Sequence, residues 1–214
     1  LNFNPEEKEA LIKALRINML KENRSYKYDF FFDNCSTRLR DLFAAAADSL
    51  EMHGERQALT YRDLIKEHQY GMPWSDFGID LIIGAKADVL SSLDDQMFLP
   101  LYLKKVLSKA EIQRGDTVES LLGEAYEVLS FPEETEKRMR RSWVTPELVF
   151  AILALILLAL RWPYRKDKVL PKRLRNIDGT FITFLGILGL LLAFMWWGTD
   201  HVPTKSNWNL LWLS

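Results

Sequence analysis

The sequence predicts an α+β domain followed by a helical membrane hairpin. Three observations carry that prediction. Capped segments with helical apolar spacing recur through the first 142 of the 214 residues. One aromatic-rich run, 26–32, has the composition of a strand. Two uncharged apolar blocks edged by tryptophan fill the last third.

The elements of residues 1–142 follow in order. Asn4 caps a first helix that Pro5 begins, and Glu7 falls where a capping-box carboxylate belongs. Leu11, Ile12, Leu15 and Met19 supply its apolar face. Glu22 to Ser25 break the pattern, and Tyr26 to Phe32 read as a strand. Asp33 or Asn34 caps the next helix, 35–48, which turns Leu39, Leu42 and Phe43 inward. Thr60 starts a short helix that ends at His68. Gly71-Met-Pro-Trp74 is a turn, and Ser75 to Ile83 are helical up to Gly84. Residues 94–109 hold Met97-Phe-Leu-Pro100 and then a helix, and 111–119 form a short extended segment. Residues 132–142 are a charged connector.

Residues 143–214 form the membrane region. Leu148 to Leu160 carry no polar side chain, with Trp143 before them and Trp162 and Tyr164 after. Residues 181–197 are uncharged and end in Trp196-Trp197. Each block is shorter than the ~20 residues that usually span a bilayer, so a buried core helix is the alternative for either alone. Two in tandem, each edged by tryptophan, favour spans at about 147–162 and 180–197. Between them, residues 161–180 carry Arg161, Arg165, Lys166, Lys168, Lys172, Arg173 and Arg175 against Asp167 and Asp178. Such a loop stays in the cytoplasm. Residues 1–142 and the tail 198–214 then lie on the outer side. The tail brings His201, Asn207 and Asn209 to the membrane surface, where they either meet a lipid head group or serve as interfacial hydrogen bonds and helix caps.

A formal net charge of −1 gives no field that would attract nucleic acid. The single cysteine, Cys35, has no internal disulfide partner, so it is inert packing, an intermolecular partner or a reactive thiol. It falls at the start of a predicted helix, where converging N–H groups favour a thiolate and can hold an oxyanion. Asn34 either orients that site or caps the helix. Arg38, one turn on, lowers the thiol pKa, binds a phosphate or forms a structural ion pair. A nucleophilic cysteine also needs a base, usually histidine. His53 and His68 sit in polar surroundings, and His201 lies beyond a membrane segment.

Several stretches carry a resemblance. They are Leu1-Asn-Phe-Asn-Pro-Glu-Glu-Lys8, Tyr28-Asp-Phe-Phe-Phe-Asp-Asn-Cys-Ser-Thr-Arg38, Thr60-Tyr-Arg-Asp-Leu64, Trp74-Ser-Asp-Phe-Gly-Ile-Asp-Leu81 and His201 through Asn207-Trp-Asn-Leu-Leu-Trp212. Together they resemble the Lnb family of lipoprotein N-acyltransferases from Bacteroides-type bacteria. The Asp-Asn-Cys-Ser-Thr-Arg block also resembles the Asn-Cys element of circularly permuted NlpC/P60, papain-like enzymes. The resemblance implies the C-terminal part of a permuted papain-like domain in 1–142 and ping-pong acyl transfer through a Cys35 thioester. The donor would be a phospholipid and the acceptor the α-amine of a diacylglyceryl-cysteine lipoprotein, with no metal or cofactor. It implies a bacterial inner membrane protein with its catalytic domain facing the periplasm. In such permuted enzymes the histidine precedes the cysteine, and here it is expected upstream of residue 1. Two other functions fit the same residues. One is a membrane-anchored papain-like hydrolase of cell-wall peptide or lipid ester; the other is a non-enzymatic membrane anchor subunit.

Overall fold

The computed structural model describes residues 1–47, 49–54, 57–124, 126, 128–129, 142–166 and 169–213. Residues 132–141 of the charged connector lie outside the described residues. The chain runs α1 (Pro5–Met19), α2 (Cys35–Ala46), β1 (Leu50–Glu51), α3 (Tyr61–Glu67), α4 (Pro73–Ile82), α5 (Leu93–Gln96), α6 (Pro100–Leu107), β2 (Glu111–Arg114) and β3 (Thr117–Ser120). Then come α7 (Pro146–Arg161), α8 (Lys172–Ala193) and α9 (Leu210–Leu213). These elements group into two compact units.

The first unit is Leu1–Leu64 with Val89–Ser130. Asn4 and Glu7 form the expected capping box on α1, with Glu7 N–H donating to Asn4 Oδ1 at 2.8 Å. Glu7 Oε2 also accepts from Arg114 Nη2 at 2.7 Å, which ties α1 to the sheet. Leu11 packs against the core, but Ile12, Leu15 and Met19 are exposed, so the apolar face is narrower than the spacing suggests. The core gathers Phe3, Met97, Leu103, Val106, Ile112 and Leu121. Phe43 joins it edge-on to Phe3, with ring centroids 6.2 Å apart, whereas Leu39 is exposed.

The sheet is antiparallel, in the order β1-β2-β3, with Leu50 opposite Ile112 and Gln113 opposite Val118. Gly115, at φ +60°, makes the β2–β3 turn, a left-handed conformation that glycine adopts without Cβ strain. Segment 111–119 is therefore a hairpin. The predicted strand 26–32 is not part of it. Asp29 Oδ1 accepts from Phe31 N–H at 2.9 Å and Phe32 N–H at 3.0 Å, and Asp29 and Asp33 pair through their backbones. The aspartate side chain competes for the donors a ladder would use and bends the aromatic run into a turn.

The second unit is Ile65–Asp88 with Phe131–Ser214. The segments Pro146–Tyr164 and Lys172–Gly198, of 19 and 27 residues, are long and apolar enough to cross a membrane. The second helix begins at Lys172, so part of the basic 161–180 stretch is helical rather than loop. Arg161, closing α7, forms an ion pair with Asp178 of α8. At the opposite end of the hairpin, Trp74 Nε1 donates to Val144 O at 2.9 Å, and the Phe77 and Phe150 rings lie 5.4 Å apart. These contacts seat α4 on the first turns of α7. After α8 the chain folds back onto the end of α4: Gly84 N–H donates to Pro203 O at 2.8 Å and Ala85 N–H to Ser206 O at 3.0 Å. A Cβ on Gly84 would fall 2.0 Å from Lys205 O, so only glycine allows this approach. The architecture is thus mixed helices with a small sheet, plus two candidate membrane-spanning helices.

Candidate active site

Asn34 organises the start of α2. Its Oδ1 accepts from Ser36 N–H at 2.8 Å and Thr37 N–H at 3.0 Å, and its own N–H donates to Thr37 Oγ1 at 2.9 Å. Its Nδ2 donates to Phe30 O and to Phe98 O, both at 2.9 Å. The residue is 4 % exposed and both of its amide protons are used. Of the two roles open in the sequence, Asn34 takes the capping one. Beneath it Phe31 and Phe98, each 1 % exposed, pack with Tyr61 at centroid distances of 4.6 to 5.5 Å. Burying each ring contributes about 1.5–3 kcal/mol, so the turn that carries the thiol rests on a rigid base.

Cys35 is the first residue of α2 and is exposed. The packing alternative for the lone cysteine therefore does not describe it. Two of the helix's first N–H groups, those of Ser36 and Thr37, go to Asn34 rather than converging on the thiol.

Arg38 lies one turn on, but its guanidinium is engaged. Nε donates to Asp33 Oδ1 at 2.6 Å, Nη2 donates to Asp33 Oδ2 at 2.9 Å, and the carbon Cζ sits 3.5 Å from the Tyr26 ring centroid. This bidentate geometry holds the Asp33 carboxyl below its ordinary value of 3.8. The ion-pair reading of Arg38 is the one the structure builds. Its pair braces the turn immediately before the thiol.

The surface around Cys35 is aromatic. Of Tyr28 and Phe30 to Phe32, only Phe31 is buried. Tyr28 and Phe32 are both 52 % exposed, and Tyr26 and Phe30 are exposed as well. Burial, and next the neighbouring Cys35, push the Tyr28 hydroxyl pKa up. An open groove of about 490 Å³ runs alongside, lined by Phe32, Asp33, Arg38 and Leu42 and by Asn18 of α1.

Among the described residues, no histidine hydrogen-bonds Cys35. His53 faces Glu51 Oε2 and Glu111 Oε2, each at 3.4 Å. His68 and His201 belong to the second unit. His201 is exposed, and its carbonyl accepts from Thr204 Oγ1 at 2.9 Å. Asn207, 1 % exposed, donates from Nδ2 to Leu81 O at 2.8 Å and Ile82 O at 2.9 Å. Asn209 Nδ2 donates to Asp80 O at 3.1 Å. Both asparagines thus cap the C-terminus of α4, and their amides are taken up by the protein's own carbonyls. The sequence points to the thiol and names Asp33 only as an alternative cap; its pairing with Arg38 depends on a bend that reads as a strand.

Two family models match the chain. The Lnb N-terminal periplasmic domain matches residues 1–67, which include Asn34, Cys35 and Arg38. The Lnb transmembrane domain matches residues 137–214, which include α7, α8 and the returning tail. No curated protein and no solved structure matches. A periplasmic and a transmembrane domain on one chain make a membrane-anchored protein with a periplasmic part. With the thiol-bearing turn in one matched domain and the apolar hairpin in the other, the chain belongs to the Lnb family.

Proposed function

We propose that the protein is a lipoprotein N-acyltransferase of the bacterial inner membrane, with Cys35 as its nucleophile. The observation that carries this reading is an exposed thiol at the first position of a twelve-residue helix whose cap is locked by a buried asparagine. A non-enzymatic anchor has no need of a thiol held in this way.

In the first half-reaction the Cys35 thiolate attacks an ester carbonyl of a phospholipid. The Cys35 N–H and the positive end of α2 stabilise the oxyanion. The C–O bond breaks, the lysophospholipid leaves as an alcohol after taking up a proton, and a thioester remains on Cys35. In the second, the α-amine of a diacylglyceryl-cysteine lipoprotein attacks the thioester. An amide forms, the amine loses a proton and the thiolate is regenerated. Splitting the transfer in this way suits a Cys–His pair, and the permuted papain-like arrangement supplies the histidine from a position before the cysteine. The exposed aromatic surface of Tyr26, Tyr28, Phe30 and Phe32 gives the acyl chain an apolar path to the sulfur.

The basic 161–180 stretch faces the cytoplasm in this account, so residues 1–142 work at the outer leaflet. Donor and acceptor are both membrane-anchored, and an enzyme anchored in the same bilayer meets them at high effective concentration. The test is Cys35→Ser in the full-length protein, with mass spectrometry of a lipoprotein's N-terminal peptide. Acyl transfer should be lost while membrane insertion is kept; triacylated product from the variant would refute the nucleophile.

A further inference from the structure

Helix α1 carries an apolar stripe at the surface of the first unit. Ile12, Leu15 and Met19 lie within about 60° of one another around the helix axis, while the core takes Leu11 from a neighbouring face. All three are exposed, Met19 by 76 %, and so are Ile17 and Leu20. Isolated apolar side chains are normal on a surface, but a run of them marks a contact site. The same stretch is basic. Residues 12–28 hold Lys13, Arg16, Lys21, Arg24 and Lys27 against Glu22 alone, in a chain whose net charge is −1. Arg38, Arg40 and Arg114 of this unit are ion-paired. Among the described residues, Lys13, Arg16, Lys21 and Arg24 form no such pair, and all four are exposed.

Interleaved cations and large apolar side chains fit a partner that offers hydrocarbon and negative charge together. An anionic bilayer does so. Isoleucine, leucine and methionine enter the acyl boundary, while lysine and arginine leave their charges among the phosphates. A protein partner fits less well, because lysine is depleted from the centres of protein interfaces. The patch also leads to the thiol-bearing turn. Tyr26 and Tyr28 follow it with ring centroids 6.4 Å apart, and the Arg38 guanidinium of α2 lies 3.5 Å from the Tyr26 ring. Tyrosine is itself enriched where lipid meets water.

We infer that residues 12–28, the second half of α1 and the turn after it, dock the first unit onto an anionic phospholipid surface. Ile12, Leu15 and Met19 enter the interface, and Lys13, Arg16, Lys21 and Arg24 hold the phosphates. Docking needs no acyl transfer. Only its use, the delivery of donor lipid to Cys35, rests on the acyltransferase reading.

The experiment reads lipid contact rather than activity, so its failure is distinct from failure of the acyltransferase reading. Cys35→Ser removes the only cysteine, which lets Met19→Cys carry a single bimane label in the full-length protein. Val118→Cys, at an exposed position of β3 in the same unit, is the reference. Each protein is reconstituted into vesicles of brominated phosphatidylcholine, alone or mixed with brominated phosphatidylglycerol. In the mixed vesicles the bromolipid should quench the label at 19 and leave the label at 118 bright. Each cation at an anionic surface strengthens association about fivefold, so Lys13→Glu with Arg16→Glu should remove most of the quenching. Salt that shortens the screening length to about 3 Å should lower it without any substitution, and it carries the test if the double variant fails to fold. Equal quenching at 19 and 118 would overturn the inference, as would quenching at 19 that is just as strong in phosphatidylcholine alone. A label at 19 that is shielded from aqueous iodide yet untouched by bromolipid would assign the face to protein, either a further stretch of the chain or a second copy, and overturn it too.

Discussion

Asn34 Nδ2 donates to the carbonyl of Phe98, 64 residues further along the chain, at 2.9 Å. One side chain thus caps α2 and pins it to the loop before α6. The thiol next door inherits that fixation.

This makes Asn34 different from an ordinary cap. Asn34→Ala should destabilise the periplasmic unit by about 2–4 kcal/mol, combining a lost cap with two carbonyls left without donors. Asparagine and aspartate are near-equal caps in general. Here Asn34→Asp should fail to restore stability, because a carboxylate would face the Phe30 and Phe98 carbonyls. Chemical denaturation of the three proteins measures the ranking; an aspartate variant as stable as wild type would count against it.

Acid should loosen the same turn. Asp33 is held below 3.8 by its hydrogen bonds from Arg38. Burial works against ionisation of Asp95, but hydrogen bonds from Ser92 and Tyr61 outweigh it and also hold that carboxyl below 3.8. A carboxyl whose folded value lies below its unfolded one contributes stability above the unfolded value, and loses it as pH falls through the folded value. Stability should therefore be flat above about pH 5 on account of these two groups and fall below about pH 4. Asp33→Asn should flatten part of that fall. Thermal unfolding from pH 7 to pH 3 reads it.

Arg38 pairs with Asp33 in the turn just before the thiol. Arg38→Lys keeps the charge but loses the bidentate fork. Both partners are well exposed, so stability should change by less than about 1 kcal/mol. The rate of Cys35 alkylation should nonetheless change, since the turn before the sulfur loses its brace. An unchanged alkylation rate across pH would remove Arg38 from the site.

The clasp on α4 predicts a glycine effect. Gly84→Ala would drive a Cβ to within 2.0 Å of Lys205 O, so the backbone bonds to Pro203 and Ser206 cannot both persist. Hydrogen exchange of residues 203–209 should rise in detergent micelles, with α7 and α8 unaffected. Unaltered exchange in the tail would show that the clasp is not needed.

The features legible in the sequence are the local ones. Asn4, Pro5 and Glu7 cap α1, and Thr60 and Asp63 cap α3, within a few residues of each other. The apolar hairpin is legible because a bilayer demands long uncharged runs. The aromatic run 26–32 misleads because strand composition says nothing of Asp29, whose side chain captures the backbone instead. Asn207 reads as a surface amide, yet its partners Leu81 and Ile82 lie far away in the chain. Likewise nothing in the local pattern of Ile65–Asp88 announces that it groups with the membrane helices, since tryptophan and phenylalanine at 74 and 77 also suit a soluble core.

The central claim is that Cys35 carries the acyl chain. The most direct measurement is peptide mass spectrometry of the full-length protein after incubation with phospholipid vesicles and no lipoprotein acceptor. The account predicts an acyl adduct on the Cys35 peptide that hydroxylamine removes and that transfers to lipoprotein when the acceptor is added. A protein that yields triacylated lipoprotein with Cys35 never acylated, or after Cys35→Ser, would contradict it.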